Sequence, residues 1–250
     1  MLLEGLLLVL STSQILSEPM LNDLPISIGK VPWQASVQVH GIHRCGGVVY
    51  SEDIILTIAR CVRKVGVTMI SVRAGSALRI LGGQIRKVKQ VRKQLLGLRS
   101  SDVAILQLSS PLELGGDVKA IELSNELPSP GAKATVSGWG QLNVLIPTES
   151  EILLKVNLIV QEPLKCTAIS ALTGRLIDVD EFCAAPWGVI PLACQGFVGG
   201  PLVSDQKLIG IVSWRNTCGY LNKPSVFANI PVLKLWIQST VQLMKAFQIG

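Results

Sequence analysis

The sequence has few charged residues, few aromatic residues and almost no histidine. Charged side chains account for 16% of its 250 residues and aromatic ones for 4%, whereas apolar residues account for 48%. Disordered segments combine high charge with low hydrophobicity, so this composition excludes a disordered chain. The apolar share is instead sufficient for the core of one large globular domain or two small ones.

The residues from which metal sites are usually built are also scarce. The chain has two histidines, His40 and His43, and none of its six cysteines lies in a CxxC pair. Because zinc sites draw on clustered cysteine and histidine ligands, no metal site is predicted, and nothing implies another cofactor. We expect His43 to be a structural, hydrogen-bonded imidazole.

Long apolar runs are absent after the N-terminus. Residues 1–17, MLLEGLLLVLSTSQILS, contain a short apolar run followed by small residues, which indicates a secretory signal peptide cleaved after Ser13 or Ser17. The segment lacks Lys and Arg and carries Glu4, so an uncleaved N-terminal anchor is the alternative. No later segment approaches about 18 uninterrupted apolar residues, so no membrane span is predicted after signal removal. The predicted location is secreted and extracellular.

Six cysteines in a secreted chain predict three disulfide bonds. They are Cys45, Cys61, Cys166, Cys183, Cys194 and Cys218. An even count behind a secretory signal favours complete pairing, but the count alone leaves about 15 pairings open.

Short apolar or alternating runs, separated by Gly, Pro, Ser and Asn, recur along the chain. Examples are ASVQVHG from Ala35, DIILTIA from Asp53, DVAILQL from Asp102 and LIGIVSW from Leu208. Such runs predict many short strands in a sandwich or a barrel. Residues 109–133, rich in turn-forming residues, are the candidate linker between two halves.

Apolar residues follow a different spacing near the C-terminus. After Pro231 they recur every three or four residues, at Leu233, Trp236, Ile237, Val241, Met244 and Phe247. This spacing predicts an amphipathic helix that packs on the body of the protein.

Eight short motifs occur in an order that resembles a known family. They are PWQASVQ at Pro32, CGGVVYS at Cys45, LTIARC at Leu56, SDVAILQL at Ser101, VSGWG at Val136, CQGFVGGPLV at Cys194, GIVSW at Gly210 and PSVFANI at Pro224. Together they resemble the trypsin/chymotrypsin family of serine proteases. The resemblance implies an all-β fold of two antiparallel six-stranded Greek-key β-barrels around a cleft, with a C-terminal α-helix. It divides the chain into a signal peptide at 1–17 and a trypsin-like domain at 18–250, with barrels at about 18–118 and 119–231 and a helix at about 232–248.

The family's disulfide scheme implies the bonds Cys45–Cys61, Cys166–Cys183 and Cys194–Cys218. A further bridge that many members have would join the positions of Ala134 and Ser204, and both of its cysteines are absent. No thiol would be left over.

The family's catalytic triad is altered at two of its three positions. Asp102 matches the aspartate, but Arg60 stands where the resemblance places histidine, and Val198 stands where it places serine. A guanidinium stays protonated near neutral pH, and valine has no nucleophilic atom. The sequence therefore predicts that the chain is not an enzyme. We expect Arg60 to be the ion-pair partner of Asp102, because an unpaired buried carboxylate would be costly.

The resemblance also points to changes around the cleft. The substrate pocket would involve Leu192, Ser213, Trp214, Arg215 and Ser225, of which Arg215 and Ser225 replace glycines of the family. Arg215 would either obstruct the pocket or point to solvent. Gly196 retains the position of the oxyanion-forming backbone.

A basic cluster precedes Asp102 in the stretch QIRKVKQVRKQLLGLRSSD. Its members are Arg86, Lys87, Lys89, Arg92, Lys93 and Arg99. The cluster is either a solvated surface strand or a binding patch for a sulfated glycan or another polyanion. Nucleic acid is not expected as the ligand of a secreted chain.

These features together predict a secreted, non-catalytic serine protease homologue. It would act by binding another protein, whether a protease, a substrate or a receptor. Two alternatives stay open, namely a serine-type endopeptidase with residual or relocated activity and a secreted polyanion-binding protein. The sequence does not identify the protein partner.

Overall fold

The computed structural model describes residues 23–94, 103–140, 149–171, 177–186, 197–214 and 224–246. The strands of these ranges are β1 (Asp23–Pro25), β2 (Gln34–Val39), β3 (Ile42–Val49), β4 (Ile54–Ile58), β5 (Ile70–Ala74), β6 (Gln84–Lys93), β7 (Val103–Leu108), β8 (Glu122–Leu123), β9 (Lys133–Gly138), β10 (Leu154–Val160), β11 (Glu181–Pro186), β12 (Pro201–Ser204), β13 (Lys207–Trp214) and β14 (Ser225–Asn229). The α-helices are α1 (Pro163–Ala171) and α2 (Ile230–Ala246).

Six strands close the first barrel in the order β2-β3-β4-β7-β6-β5. Strands β4 and β7 are buried along their whole length. One face of each fills the barrel, and the other is covered where β4 meets β13 and β7 meets α2. Both strands therefore read as continuous apolar runs instead of alternating ones.

The second barrel contains β9, β10, β11, β14, β13 and β12, and the pairing of β9 with β10 closes it. Strand β1 adds to β10, and the short β8 runs parallel to β13. Two closed six-stranded barrels followed by a C-terminal helix confirm the predicted fold class. The predicted signal peptide at 1–17 lies outside the described residues.

Helix α2 packs an apolar stripe against β7 of the first barrel and against β13 and β14 of the second. Its buried residues recur every three or four positions and are Ile230, Leu233, Ile237, Val241 and Met244. Four of them follow the spacing that predicted the helix. In the described part of the chain, neither α-helix is long and apolar enough to cross a membrane.

Helix α1 was not predicted. It begins at Pro163, whose fixed backbone angle suits a first helical position. Its apolar pattern is weak, because Cys166 is buried whereas Leu164 is 86% exposed. The disulfide between Cys166 and Cys183 joins the helix to β11.

Two of the three disulfides that the resemblance implies are present, Cys45–Cys61 and Cys166–Cys183. The first joins β3 to the turn that follows β4, and the second joins α1 to β11. Cys194 and Cys218 lie outside the described residues.

The two barrels touch through backbone atoms where β3 meets residues 197–200. The Gly46 amide donates a hydrogen bond of 2.8 Å to the Val198 carbonyl, and the Thr57 hydroxyl donates one of 2.8 Å to the Gly46 carbonyl. Gly199 has a φ of +81°, and a Cβ there would lie 2.4 Å from the Gly46 oxygen. A Cβ on Gly46 would lie 2.7 Å from the Cα of Gly200. Neither Gly46 nor Gly199 could therefore carry a side chain at this contact, which we call the glycine junction.

Replacing Gly199 with alanine should therefore cost about 3 kcal/mol or more of unfolding free energy, because the new methyl group needs both a strained backbone and space that is occupied. Gly41→Ala is the matched control, since Gly41 has a φ of +77° but nothing within 4 Å of its added Cβ. The control should lose only about 1 kcal/mol. Urea unfolding of both variants measures the difference, and equal losses would show that the glycine junction is not tightly packed.

Candidate functional site

The loop that would carry the family's nucleophile is filled with apolar side chains. Phe197 is 2% exposed and packs in the core of the second barrel. Val198 is half-buried and contacts the cores of both barrels. The Val198 side chain therefore packs between the barrels and has no atom that could attack a carbonyl group.

Arg60 reaches across the cleft from the first barrel to the second. It lies in a single helical turn, Ala59–Val62, whose other residues are buried and whose Cys61 is bonded to Cys45. Its Nη2 group donates a hydrogen bond to the carbonyl oxygen of Ser213. A guanidinium only donates hydrogen bonds, so Arg60 acts here as a donor and cannot act as a base.

Ser213 owes its position to a β-bulge. In the pairing of β13 with β14, Val212 faces Phe227 and Trp214 faces Val226, which leaves Ser213 as the extra residue. The bulge turns its carbonyl group out of the ladder and toward Arg60. Ser213 is fully buried, and its hydroxyl has no hydrogen-bond partner among the described residues.

Strand β13 brings the positions of Arg60 and Val198 together. The Gly199 amide donates to the Val212 carbonyl at 2.9 Å, and the Val212 amide donates to the Gly200 carbonyl at 3.0 Å. The Val198 loop is thus bonded to the residue next to the one that Arg60 contacts. This arrangement joins the two altered triad positions at one wall of the cleft.

Several predicted site residues lie outside the described residues. They are Asp102, Leu192, Gly196, Arg215 and Arg99. The ion pair between Arg60 and Asp102 therefore stays a prediction, as does the orientation of Arg215. Ser225 begins β14, where it is half-buried and pairs with Ala184, and Trp214 ends β13.

His43 is a buried residue of β3 that lies between Ser36 of β2 and Trp139, the residue that follows β9. Its Nδ1 shares a hydrogen bond of 2.7 Å with the hydroxyl of Ser36, and its ring meets Trp139 edge-on at 5.3 Å. Burial, and then the charge of Arg79, lower the pKa of His43 from 6.5 to about 4. The imidazole is therefore neutral near pH 7 and has a structural role.

The basic cluster divides between the two faces of β6. A bulge between Val88 and Gln90 shifts the alternation of the strand, so Lys87, Lys89 and Arg92 are all exposed. We call these three residues the basic face. Arg86 is half-buried, and its side chain donates to the Pro111 carbonyl at 2.8 Å and lies 3.6 Å from a Glu113 carboxylate oxygen. Lys93 is also half-buried.

The contact between Arg60 and Ser213 was not foreseen, because the two residues are 153 positions apart. No local pattern in the sequence predicts a contact between two residues so far apart. The only sequence signal that pointed toward it was the family resemblance, which placed both residues at the cleft.

The lowered pKa of His43 predicts a pH dependence of stability. A folded-state pKa below the unfolded value means that this stabilisation is complete above pH 6.5 and is lost as pH falls toward about 4. The loss should reach about 3 kcal/mol, since each pKa unit corresponds to 1.36 kcal/mol. An NMR titration of the His43 ring should give a midpoint near 4, and His43→Gln should remove this part of the pH dependence. A midpoint near 6.5 would contradict the burial of the ring.

Comparison with known proteins identifies relatives along most of the chain. A family model described as Trypsin matches residues 22–237. Trypsin alpha of Drosophila melanogaster is 38% identical over 217 residues, which cover 86% of this chain and 84% of that protein. Trypsin alpha of Drosophila erecta is 40% identical over 220 residues, with coverage of 86% and 84%.

Solved structures give the same fold. Neuropsin, a serine protease expressed in the limbic system of mouse brain, superposes with a TM-score of 0.78 at 28% identity, covering 88% of this chain and 98% of its own. A protein described as scabies mite inactivated protease paralogue S-D1 superposes with a TM-score of 0.80 at 25% identity, covering 88% and 97%.

The prediction that this chain is not an enzyme is contradicted by the relatives, because they are named trypsins and trypsins are peptidases. That prediction rested on two side chains. They show only that Arg60 cannot accept a proton and that Val198 cannot attack a carbonyl group. Backbone donors and substrate binding retain a rate enhancement of about 10³ to 10⁴ over water when a triad member is lost, so two substitutions do not place a chain outside the enzymes. The chain belongs to the trypsin family of serine proteases.

Proposed function

We propose that this chain is a secreted member of the trypsin family that binds an extended polypeptide in the cleft between its barrels, along the end of β13. The observation that carries the proposal is the carbonyl group of Ser213, which the bulge removes from the β-ladder and turns into the cleft. Main-chain acceptors at the end of a strand are the groups through which extended peptides add to a sheet.

The relationship to trypsins supports a polypeptide ligand, since peptidases act on polypeptides. Disulfide bonds at Cys45–Cys61 and Cys166–Cys183 support secretion, because such bonds persist in oxidising compartments. The signal-peptide pattern of residues 1–17 supports it as well. Polypeptide binding is needed whether or not the bound chain is cleaved.

Arg60 controls access to this acceptor. Its guanidinium already donates to the Ser213 carbonyl, so an incoming peptide N–H group must displace it. A hydrogen bond from a charged donor contributes about 1.5 to 3 kcal/mol, which is enough to weaken peptide binding measurably. Free and peptide-bound forms of the cleft then differ in where the Arg60 side chain lies.

Arg60→Ala should therefore tighten polypeptide binding by about tenfold or more, given about 1.5 to 3 kcal/mol for the displaced hydrogen bond from a charged donor. Fluorescein-labelled casein, an unfolded protein, is a suitable probe, because its anisotropy reports binding and the release of soluble fluorescence reports cleavage. Arg63→Ala is the matched control, since Arg63 is exposed three residues along the chain and carries the same charge.

The measurement should be made near 0.15 M salt, where long-range attraction between casein and a basic protein is screened. Saturable binding that is tightened by Arg60→Ala and unchanged by Arg63→Ala supports the proposal. Absence of saturable binding, or weaker binding in Arg60→Ala, would contradict it.

The exposed basic face favours a second candidate function, the binding of a sulfated glycan. Lys87, Lys89 and Arg92 project from one side of β6 without a carboxylate contact among the described residues. Three cations on one exposed strand can neutralise neighbouring sulfates of a linear polyanion.

Neutralising the basic face with Lys87→Gln, Lys89→Gln and Arg92→Gln should weaken heparin binding about tenfold, on the basis of roughly 0.5 kcal/mol for each exposed charge. Arg44→Gln, Arg63→Gln and Lys64→Gln remove the same charge from exposed positions elsewhere and serve as the control. Elution from heparin at the same salt concentration for both triple variants would show attraction to net charge alone and would refute the patch.

A further inference from the structure

A cavity of about 760 Å³ lies outside the cleft, against the wall of the second barrel. Strands β9, β10 and β12 line one side of it, and the N-terminal segment from Pro25 to Trp33 lines the other. None of Arg60, Val198 and Ser213 lines it. Its volume falls within the range of small-molecule sites, about 300 to 1,000 Å³.

The cavity opens where β9 and β12 separate. Their ladder consists of the pairs Leu202 with Val136 and Val203 with Thr135, and it does not continue to Ser204 and Ala134. Those two residues line the cavity and are the positions at which the family's additional disulfide is absent from this chain. The Ser204 hydroxyl instead donates a hydrogen bond of 2.8 Å to the Lys133 carbonyl. The cavity is thus associated with a specific change in this sequence.

The lining is cationic. The cavity is lined by three lysines, Lys30, Lys133 and Lys155, and by one carboxylate, that of Asp205. Lys155 is half-buried, whereas Asp205 is exposed in the turn between β12 and β13. A cation that is partly withdrawn from water interacts more strongly with an anion than an exposed one does. The site therefore favours an anionic group.

The same cavity is also lined by neutral polar side chains and by an apolar surface. Thr135 and Asn157 face each other across β9 and β10, with 3.2 Å between Oγ1 and Oδ1. The indole Nε1 of Trp33 is buried and has no acceptor among the described residues. The apolar part of the lining includes Ile26, Val31, Trp33, Leu158 and Val203. A ligand that matches this surface needs both an anionic and an apolar part.

We propose that this cavity binds a small organic anion in which a carboxylate or sulfonate group is joined to an aromatic or aliphatic body. Lys30 and Lys155 attract the anionic group, and the apolar lining around Trp33 contacts the body of the ligand. The site is separate from the cleft, so it is independent of polypeptide binding along β13.

Two fluorescent probes of nearly the same shape test this proposal on the purified full chain. Anilinonaphthalene sulfonate carries the anionic group, whereas N-phenyl-1-naphthylamine lacks it. The sulfonate should bind saturably at one site. Lys30→Gln combined with Lys155→Gln should weaken its binding at least tenfold and should leave binding of the neutral probe within twofold. Thr135→Trp, which fills the cavity, should abolish the binding of both probes.

Arg63→Gln combined with Lys64→Gln is the matched control, because it removes the same charge from exposed positions away from the cavity. An equal loss of sulfonate binding in both double variants would show attraction to net charge and would overturn the proposal, as would the absence of saturable binding. The indole Nε1–H signal of Trp33, assigned with Trp33→Phe, should shift when the sulfonate is added. An unshifted signal would place the probe elsewhere and would also overturn the proposal.

Discussion

The backbones of the two barrels meet at the glycine junction. Gly46 and Gly200 approach so closely that a single Cβ on Gly46 would lie 2.7 Å from the other Cα. The hydrogen bond from the Gly46 amide to the Val198 carbonyl and the hydroxyl bond from Thr57 fix this approach. Because the loop at 197–200 takes part through its backbone atoms, the junction does not depend on which side chains that loop carries.

This independence explains how the site keeps its frame with altered side chains. Phe197 and Val198 lie in the loop whose position is fixed by the glycine junction, and both side chains pack against apolar residues. Strand β13 is hydrogen-bonded to this loop at Val212 and to Arg60 at Ser213. The wall of the cleft is therefore hydrogen-bonded to groups of both barrels. Main-chain hydrogen bonds thus hold the loop to the wall, whereas the first barrel reaches the wall through the side chain of Arg60.

The sequence predicted the architecture well, because the barrels follow from short apolar runs and from motifs in a fixed order. Helix α1 was not predicted because the apolar periodicity of its sequence is weak. The bulge at Val88 and Gln90 could not be read from the basic cluster, and it alone decides that Lys89 and Arg92 share a face. Contacts between distant segments, such as Arg60 with Ser213, and the cavity beside Trp33 arise only from the folded chain. The error about enzymatic activity came from treating two residues as decisive for a whole family relationship.

We expect the glycine junction to be as stable as the barrels that it joins. Amide hydrogen exchange measures this stability, since the Gly46 and Gly199 amides donate across or beside the junction. Both amides should exchange as slowly as those of β4 and β7 in the core, through global unfolding only. Exchange of Gly46 and Gly199 much faster than that of the core strands would show that the barrels separate locally, and would contradict it.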